Sequence, residues 1–284
     1  MVSTLGNLKL KNPYFLAPME KINDIAFRIL CKKAGASLCY TGMVNPLTKE
    51  NLMLDDKPAL QLFSNNEKGI ISFIKKYENK VSLFDFNLGC AAEIAKKCKI
   101  GAFMHNNLKK IEKIISVMKS TTKKPITIKL RKSSYTEKII KIAEKYCDAI
   151  AIHPRTKEQF FNDDPDIDFA KKIKEKFNLP IIYSGNVNEK NADFLLEKFD
   201  FIMIGRSAIG NPNIFAKLTN KKIRFNFNDY LKLALKYNLK FSQIKFQAIN
   251  FTKNKKNASK IRSLITKIKT LNELNKIMNA ACGN

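Results

Sequence analysis

The chain has 284 residues, of which 45% are hydrophobic and 27% charged, and its formal net charge is +27. This length and composition are typical of a globular protein with a sizeable core. No apolar run approaches the roughly 18–20 residues of a transmembrane helix, and the first residues carry no apolar signal core, so we expect a cytoplasmic protein without a membrane span.

Short apolar runs alternate with amphipathic stretches along the first three quarters of the chain. The runs predict strands at 14–17, 37–41, 59–63, 81–86, 125–130, 149–152, 180–183 and 200–204. The stretches between them predict helices at 24–34, 66–77, 107–120, 135–146, 166–177 and 188–198. Strand followed by helix, repeated about eight times, is typical of an α/β protein with a (β/α)8 TIM barrel. An open doubly wound sheet is the alternative, and the lack of a G-x-G-x-x-G motif after the first strand counts against it.

The last quarter of the chain loses the strand pattern and becomes strongly basic. Helices are predicted at 228–238, 242–252, 257–268 and 270–279. We therefore predict a barrel domain over residues 1–220 and a small helical domain over residues 221–284. The helical domain has 15 Lys and Arg residues and two acidic ones, against 37 and 23 in the barrel. This concentration favours a nucleic-acid partner, although a lysine-rich surface in a lysine-biased proteome is the alternative.

Six of the 52 basic residues are arginines, and three of these follow predicted strands, at Arg131, Arg155 and Arg206. One of the two histidines, His153, also ends a strand. Arginine provides a planar fork of hydrogen-bond donors, which lysine does not. Because the carboxyl ends of barrel strands face the active site, we expect these rare side chains to lie together there.

Two of the predicted strand ends match the usual phosphate site of a barrel. Ser184, Gly185 and Asn186 follow the seventh strand, and Gly205 and Arg206 follow the eighth. Loops of this kind offer backbone N–H groups and a cation to a phosphate. A phosphate-bearing cofactor is therefore the expected occupant of the barrel mouth.

The fourth predicted strand ends in the sequence FDFNLGC, which places the thiol of Cys90 at the barrel mouth. A nucleophile, a metal ligand, a proton donor and a small buried filler are the four roles to weigh. The six cysteines form no C-x-x-C pair and there are two histidines, so we expect no metal site. A nucleophile needs a lowered pKa and a base partner.

Several blocks of the sequence resemble the tRNA-dihydrouridine synthases, flavin enzymes that reduce uridine in tRNA. The matching blocks are LAPMEKINDIAFRILCKKAGA, YTGMV, LQLF, FNLGC, IKLR, IHPRT, SGNV and IMIGRSAIGNPNIF. They cover residues 16–215 in the family's order. Residues 257–274 are similar to the family's C-terminal helical domain.

The resemblance implies an FMN prosthetic group, NADPH or NADH as reductant, and tRNA as substrate. It implies hydride transfer to C6 of uracil and a proton from Cys90 to C5. The residues implied to hold FMN are Pro18, Met19, Glu20, Gln61, Lys129, His153, Ser184, Gly185, Asn186, Gly205 and Arg206. Those expected to contact the uridine are Asn87, Arg131 and Arg155. No stable protein partner is implied.

The sequence departs from the family pattern at seven positions in these blocks. They are Glu20, Gly42, Ala91, Ile94, Pro154, Ser184 and Asn186. Glu20 replaces a small residue, Gly42 replaces Glu, and Ile94 replaces Lys. Two alternatives stay open, and these changes argue for the first of them. The first is a catalytically impaired RNA-binding barrel, and the second is a flavin oxidoreductase acting on a small pyrimidine or enone.

Overall fold

A computed structural model describes residues 3–253, 255 and 257–282, and ten strands lie in this part of the chain. They are β1 (Ser3–Leu5), β2 (Leu8–Leu10), β3 (Tyr14–Leu16), β4 (Leu38–Cys39), β5 (Ala59–Leu62), β6 (Leu83–Leu88), β7 (Ile126–Arg131), β8 (Ala149–His153), β9 (Ile181–Ser184) and β10 (Phe201–Ile204). The last eight are parallel neighbours in the order β4-β3-β10-β9-β8-β7-β6-β5. Parallel bridges Tyr40–Ala59 and Val44–Leu62 join the two ends of this sheet. The predicted TIM barrel is confirmed.

Twelve helices lie in the described part of the chain. Around the barrel are α1 (Ile25–Ala34), α2 (Ile70–Tyr77), α3 (Glu93–Cys98), α4 (Leu108–Thr121), α5 (Thr136–Ala143), α6 (Ile167–Lys176), α7 (Ala192–Leu196) and α8 (Asn213–Leu218). The C-terminal domain contains α9 (Phe227–Lys236), α10 (Phe241–Phe251), α11 (Ala258–Lys267) and α12 (Leu271–Cys282). The predicted helical domain is thus confirmed, while its boundary at residue 220 stays a prediction. In the described chain, every helix is too short or too polar to cross a bilayer.

Some elements differ from those that the sequence predicts. The antiparallel hairpin β1–β2 has strands of three residues, too short for a periodic signal, and turns at Gly6 with φ +55°. Its Leu5 and Leu10 belong to the same buried apolar cluster as Phe15. Helix α7 is shorter than predicted because residues 188–191 form a turn, in which the Asn191 side chain accepts from the Asn188 N–H.

Alternation along β6 separates apolar from polar side chains. On β6, Phe84, Phe86 and Leu88 belong to the core beneath the surrounding helices. Asp85 and Asn87 point the other way, into the barrel, as successive residues of a strand must. The alternation therefore places polar groups inside the barrel, near the carboxyl ends of its strands.

The helical domain is joined to the barrel by a buried polar contact at Asp24. One carboxylate oxygen caps α1 by accepting from the Phe27 N–H at 3.0 Å. The other accepts from Tyr230 Oη at 3.2 Å and from the side-chain amides of Gln243 and Gln247, both at 2.7 Å. Since Asp24 lies in the loop after β3, this contact places the helical domain beside the barrel mouth.

Arg28 forms a buried ion pair that ties the long loop after β4 to α1. Its guanidinium donates to both carboxylate oxygens of Asp56, at 2.9 and 2.7 Å, and to the Asn23 and Met53 carbonyls. We expect Arg28→Met to lower the free energy of unfolding by about 3–5 kcal/mol, because the substitution strands the Asp56 charge in the core.

Denaturant unfolding checks this expectation. Lys33→Met, on the exposed side of the same helix, is the control and should stay within about 0.5 kcal/mol of wild type. If Arg28→Met destabilises the protein no more than the control does, the Arg28–Asp56 pair does not contribute the expected stability.

Candidate active site

A cavity of about 840 Å³ opens at the carboxyl ends of the barrel strands. Fourteen of the fifteen residues that the sequence predicts for the site line it. They are Pro18, Met19, Glu20, Gln61, Asn87, Cys90, Lys129, Arg131, His153, Ser184, Gly185, Asn186, Gly205 and Arg206. The fifteenth, Arg155, is 1% exposed and lies outside this lining.

A chain of hydrogen bonds crosses the cavity floor and ends at Cys90. Asp85 accepts from Thr127 Oγ1 at 2.5 Å and from Gln61 Nε2 at 2.6 Å. Gln61 Oε1 accepts from Asn87 Nδ2 at 2.8 Å. Asn87 Oδ1 in turn accepts from the backbone N–H groups of Gly89 and Cys90, at 3.2 and 3.0 Å. The Asn87 side chain therefore fixes the turn that carries the thiol.

Asp85 is a site residue that sequence reasoning missed. It is fully buried, and burial raises the pKa of its carboxyl to about 6, while hydrogen bonds from Thr127 and Gln61 and the charge of Lys129 act in the opposite direction. An acidic residue between two phenylalanines, on the same inward side of β6 as Asn87, was the signal that could have identified it.

The thiol of Cys90 is half-buried at the edge of the cavity. Gly101 packs against its backbone so closely that a Cβ there would lie 2.6 Å from the Cys90 carbonyl oxygen. Within the described chain no acidic or basic side chain is hydrogen-bonded to the Cys90 sulfur, and no group of three potential metal ligands occurs. The arrangement thus lacks the base partner that an activated nucleophile needs.

His153 presents a neutral imidazole to the cavity. Burial and the charges of Lys129, Arg131, Arg155 and Arg206 lower its pKa to about 2. The Arg155 guanidinium lies 3.4 Å from Nε2, and because arginine only donates, Nε2 accepts and Nδ1 carries the proton. Nδ1 is buried and has no hydrogen-bond partner among the described residues. It is a donor suited to a bound ligand.

Two further cations line the cavity at different depths. Lys129 lies inside the barrel, where burial and the nearby Arg131 charge lower the pKa of its ammonium to about 8. Arg206 is exposed at the rim and donates to Asn186 Oδ1 at 2.5 Å. Gly185 has φ +154°, and a Cβ there would lie 3.0 Å from Pro165. The loops after β9 and β10 therefore bring a cation and a glycine together at the rim of the cavity.

Arg155 and Arg131 hold the loop that follows β8. Arg155 donates to the Asn162 and Asp163 carbonyls and to Asn186 Oδ1. Arg131 donates to the carbonyls of Gly89, Thr156 and Phe160, at 2.8, 3.0 and 2.6 Å. The Arg155 guanidinium is therefore used in contacts within the protein. Arg131 makes contacts of the same kind and also lines the cavity.

Two departures from the family pattern occur side by side in space. A Cβ on Gly42 would lie 3.1 Å from Oε2 of Glu20, so the Glu20 carboxylate occupies the space above this glycine. Burial raises the pKa of Glu20. Ile94, a third departure, is 58% exposed on α3 and is outside the cavity lining.

Comparison with known proteins agrees with this architecture. Residues 15–282 match the family model described as dihydrouridine synthase (Dus). The tRNA-dihydrouridine synthase B of Pasteurella multocida is 30% identical over 234 residues, covering 74% of this chain and 70% of that protein. A probable tRNA-dihydrouridine synthase of Rickettsia conorii is 31% identical over 240 residues, covering 75% and 71%.

Solved structures show the same fold at low identity. The old yellow enzyme from Trypanosoma cruzi has a TM-score of 0.59 at 10% identity, covering 84% of this chain and 97% of that chain. A morphinone reductase variant has a TM-score of 0.51 at 12% identity, with 80% and 92% covered. These likenesses bear on the fold alone. The family model and the curated relatives confirm the resemblance, and the chain belongs to the dihydrouridine synthase family of enzymes.

Proposed function

We propose that this protein reduces specific uridines in tRNA to 5,6-dihydrouridine, with FMN as cofactor and NADPH or NADH as reductant. The observation that carries the proposal is the cavity, which brings Cys90, Lys129, His153 and Arg206 together in a chain of this family. When bound, FMN supplies the hydride that uracil receives at C6.

The donor set of the cavity fits FMN. The Nδ1–H of His153 needs an acceptor, and the flavin ring and its side chain both carry oxygens that can accept. We propose that Arg206, with the loops at Gly185 and Asn186, holds the phosphate, since phosphate binds at such loops in barrels. Lys129 is proposed to hold the ring, where its charge balances the negative charge that reduction brings.

Cys90 is the proposed proton donor to C5 of uracil. A thiol carries a proton that it can donate as a general acid. The hydrogen bonds that Asn87 Oδ1 accepts from the Gly89 and Cys90 N–H groups hold the turn in place, so the residue that carries the thiol stays at the cavity edge. The thiolate left behind regains its proton from solvent through the open mouth.

A second cavity adjoins the first and supports the proposal that the substrate is a large RNA. It measures about 1340 Å³ and lies between the barrel and helices α11 and α12. Asn188, Ser207 and Lys253 line both cavities. The basic residues that line the second cavity are Lys190, Lys217, Arg224, Lys253, Lys255, Lys260 and Lys276. We propose that this basic groove binds the tRNA backbone while the target uridine is flipped into the active site.

Removal of two groove charges tests this role. We expect Lys260→Gln combined with Lys276→Gln to weaken tRNA binding and to reduce the slope of log K against log salt by about two, one for each lost phosphate contact. Fluorescence anisotropy over a salt series measures both quantities.

The control removes the same charge at the opposite end of the barrel. Lys9→Gln combined with Lys123→Gln changes exposed residues beside the N-terminal hairpin. This pair should bind tRNA like wild type. Equal salt slopes for the groove variant and the control variant would show that the groove does not hold the RNA.

An anaerobic half-reaction tests the proposed function itself. The protein loaded with FMN should be bleached by NADPH and should regain its absorbance when unmodified tRNA is added. Reoxidation by a small enone but not by tRNA would favour the small-substrate alternative. Failure to bind FMN at all would favour the RNA-binding alternative.

A further inference from the structure

The loop after β8 places two aromatic rings at the mouth of the active-site cavity. Phe160 and Phe161 line the cavity and are 43% and 44% exposed. Their ring centroids are 4.5 Å apart, and the rings meet edge to face at 70°. Neither residue is among those predicted from the sequence. Two adjacent phenylalanines in an otherwise polar segment could have indicated them.

The protein holds this loop in a conformation that a free chain disfavours. Phe160 has φ +51° and Asp163 has φ +55°, in the left-handed region that is unfavourable for residues with a side chain. The carbonyls of 156 and 160 accept from Arg131, and those of 162 and 163 accept from Arg155. Two buried arginines therefore fix a strained loop whose rings remain exposed, a combination that is typical of ligand-binding positions.

Arg131 lies close to both rings, and Phe161 has further contacts with the proposed cofactor residues. Phe161 meets the His153 ring edge to face at 6.1 Å, and Arg206 lies 5.1 Å from its centroid. It therefore faces the proposed cofactor residues. Phe160 contacts Phe161, and the Arg131 guanidinium carbon lies 5.8 Å from the Phe160 centroid and 5.4 Å from the Phe161 centroid. Because Arg131 also donates to the Gly89 carbonyl, it links both rings to the turn that carries Cys90.

We propose that Phe160 is a stacking surface for a nucleobase of the RNA strand that enters the active-site cavity. The inference rests on the proposed function, because it assigns a binding position to the same substrate. A nucleobase can stack on a flat aromatic ring, and an arginine beside the ring adds a favourable charge for the phosphate. RNA recognition at unpaired nucleotides commonly uses stacking of this kind. Phe161, behind it, serves the cofactor side of the cavity.

A series of substitutions at Phe160 tests the proposal. We expect Phe160→Ala to raise the Kd for unmodified tRNA and to lower kcat/KM for tRNA, each by roughly 10- to 100-fold. Phe160→Leu should resemble the alanine variant, whereas Phe160→Trp should bind as wild type does. The amount of FMN that each variant binds should equal that of wild type. Phe194→Ala, which removes a ring 47% exposed on α7 and outside both cavities, is the matched control.

Two results would overturn the proposal. Wild-type tRNA affinity in Phe160→Leu would show that bulk, not an aromatic face, is what the position requires. Loss of FMN from Phe160→Ala would assign the ring to the cofactor. If the wild-type protein forms no dihydrouridine, the proposed function fails, yet anisotropy with tRNA still shows whether binding follows the aromatic series.

Discussion

Cys90→Ala is expected to slow dihydrouridine formation by about 100- to 10,000-fold, the usual contribution of a positioned general acid. The substitution removes the proposed source of the C5 proton and leaves the hydrogen bonds of Asn87 to the backbone intact. Reduction of bound FMN by NADPH should therefore proceed at the wild-type rate. Single-turnover nucleoside analysis and stopped-flow absorbance measure the two steps separately.

The chain offers a matched control in Cys98. It is a free, exposed cysteine on α3, outside the cavity lining. Cys98→Ala should leave both steps unchanged. Turnover of Cys90→Ala at the rate of this control would eliminate the thiol as proton donor and would return Cys90 to the role of a small filler.

Lys129→Met is expected to slow dihydrouridine formation by about 100- to 1,000-fold, because it removes the positive charge proposed to lie beside the cofactor ring. The same change should stabilise the protein without FMN. Burial lowers the pKa of Lys129 to about 8, below its value of about 10.4 in an unfolded chain. The charged lysine therefore lowers the free energy of unfolding of the cofactor-free protein. This destabilisation is complete below pH 8, where Lys129 is charged in both the folded and the unfolded state.

The pH dependence follows from the same shift. Between pH 8 and 10 the unfolded state binds more protons at Lys129, so wild-type stability gains from this residue as pH rises. The advantage of Lys129→Met in thermal unfolding should accordingly be largest below pH 8 and should shrink towards pH 10. Lys129→Arg keeps the charge and serves as the control. Equal melting temperatures of wild type and Lys129→Met at pH 7 would refute the buried-charge argument.

The barrel could be predicted from sequence because its strands and helices each show a clear pattern of hydrophobic residues along the chain. The apolar runs place all eight barrel strands, and alternation on β6 and β7 already separates Asn87 and Lys129 from their apolar neighbours. The C-terminal helices were equally predictable. The hairpin β1–β2 was not, because strands of three residues give no measurable alternation.

Site residues at strand ends were predictable because the fold itself places them at the barrel mouth. The sequence does not show which group each of these side chains hydrogen-bonds to in the folded protein. Asn87 uses its amide on Gln61 and on backbone N–H groups, and Arg155 uses its guanidinium on a loop. The pairing of Glu20 with Gly42 is likewise invisible in sequence, because the two residues meet only when β3 and β4 are neighbours.

Nucleoside analysis of tRNA treated with the purified protein tests the central claim most directly. Unmodified tRNA is incubated with the FMN-loaded protein and NADPH, then digested and analysed by mass spectrometry. The proposed function predicts a nucleoside with the mass of uridine plus two hydrogens, absent when NADPH is omitted. Unchanged uridine, from a protein that binds FMN and is reduced by NADPH, would contradict it.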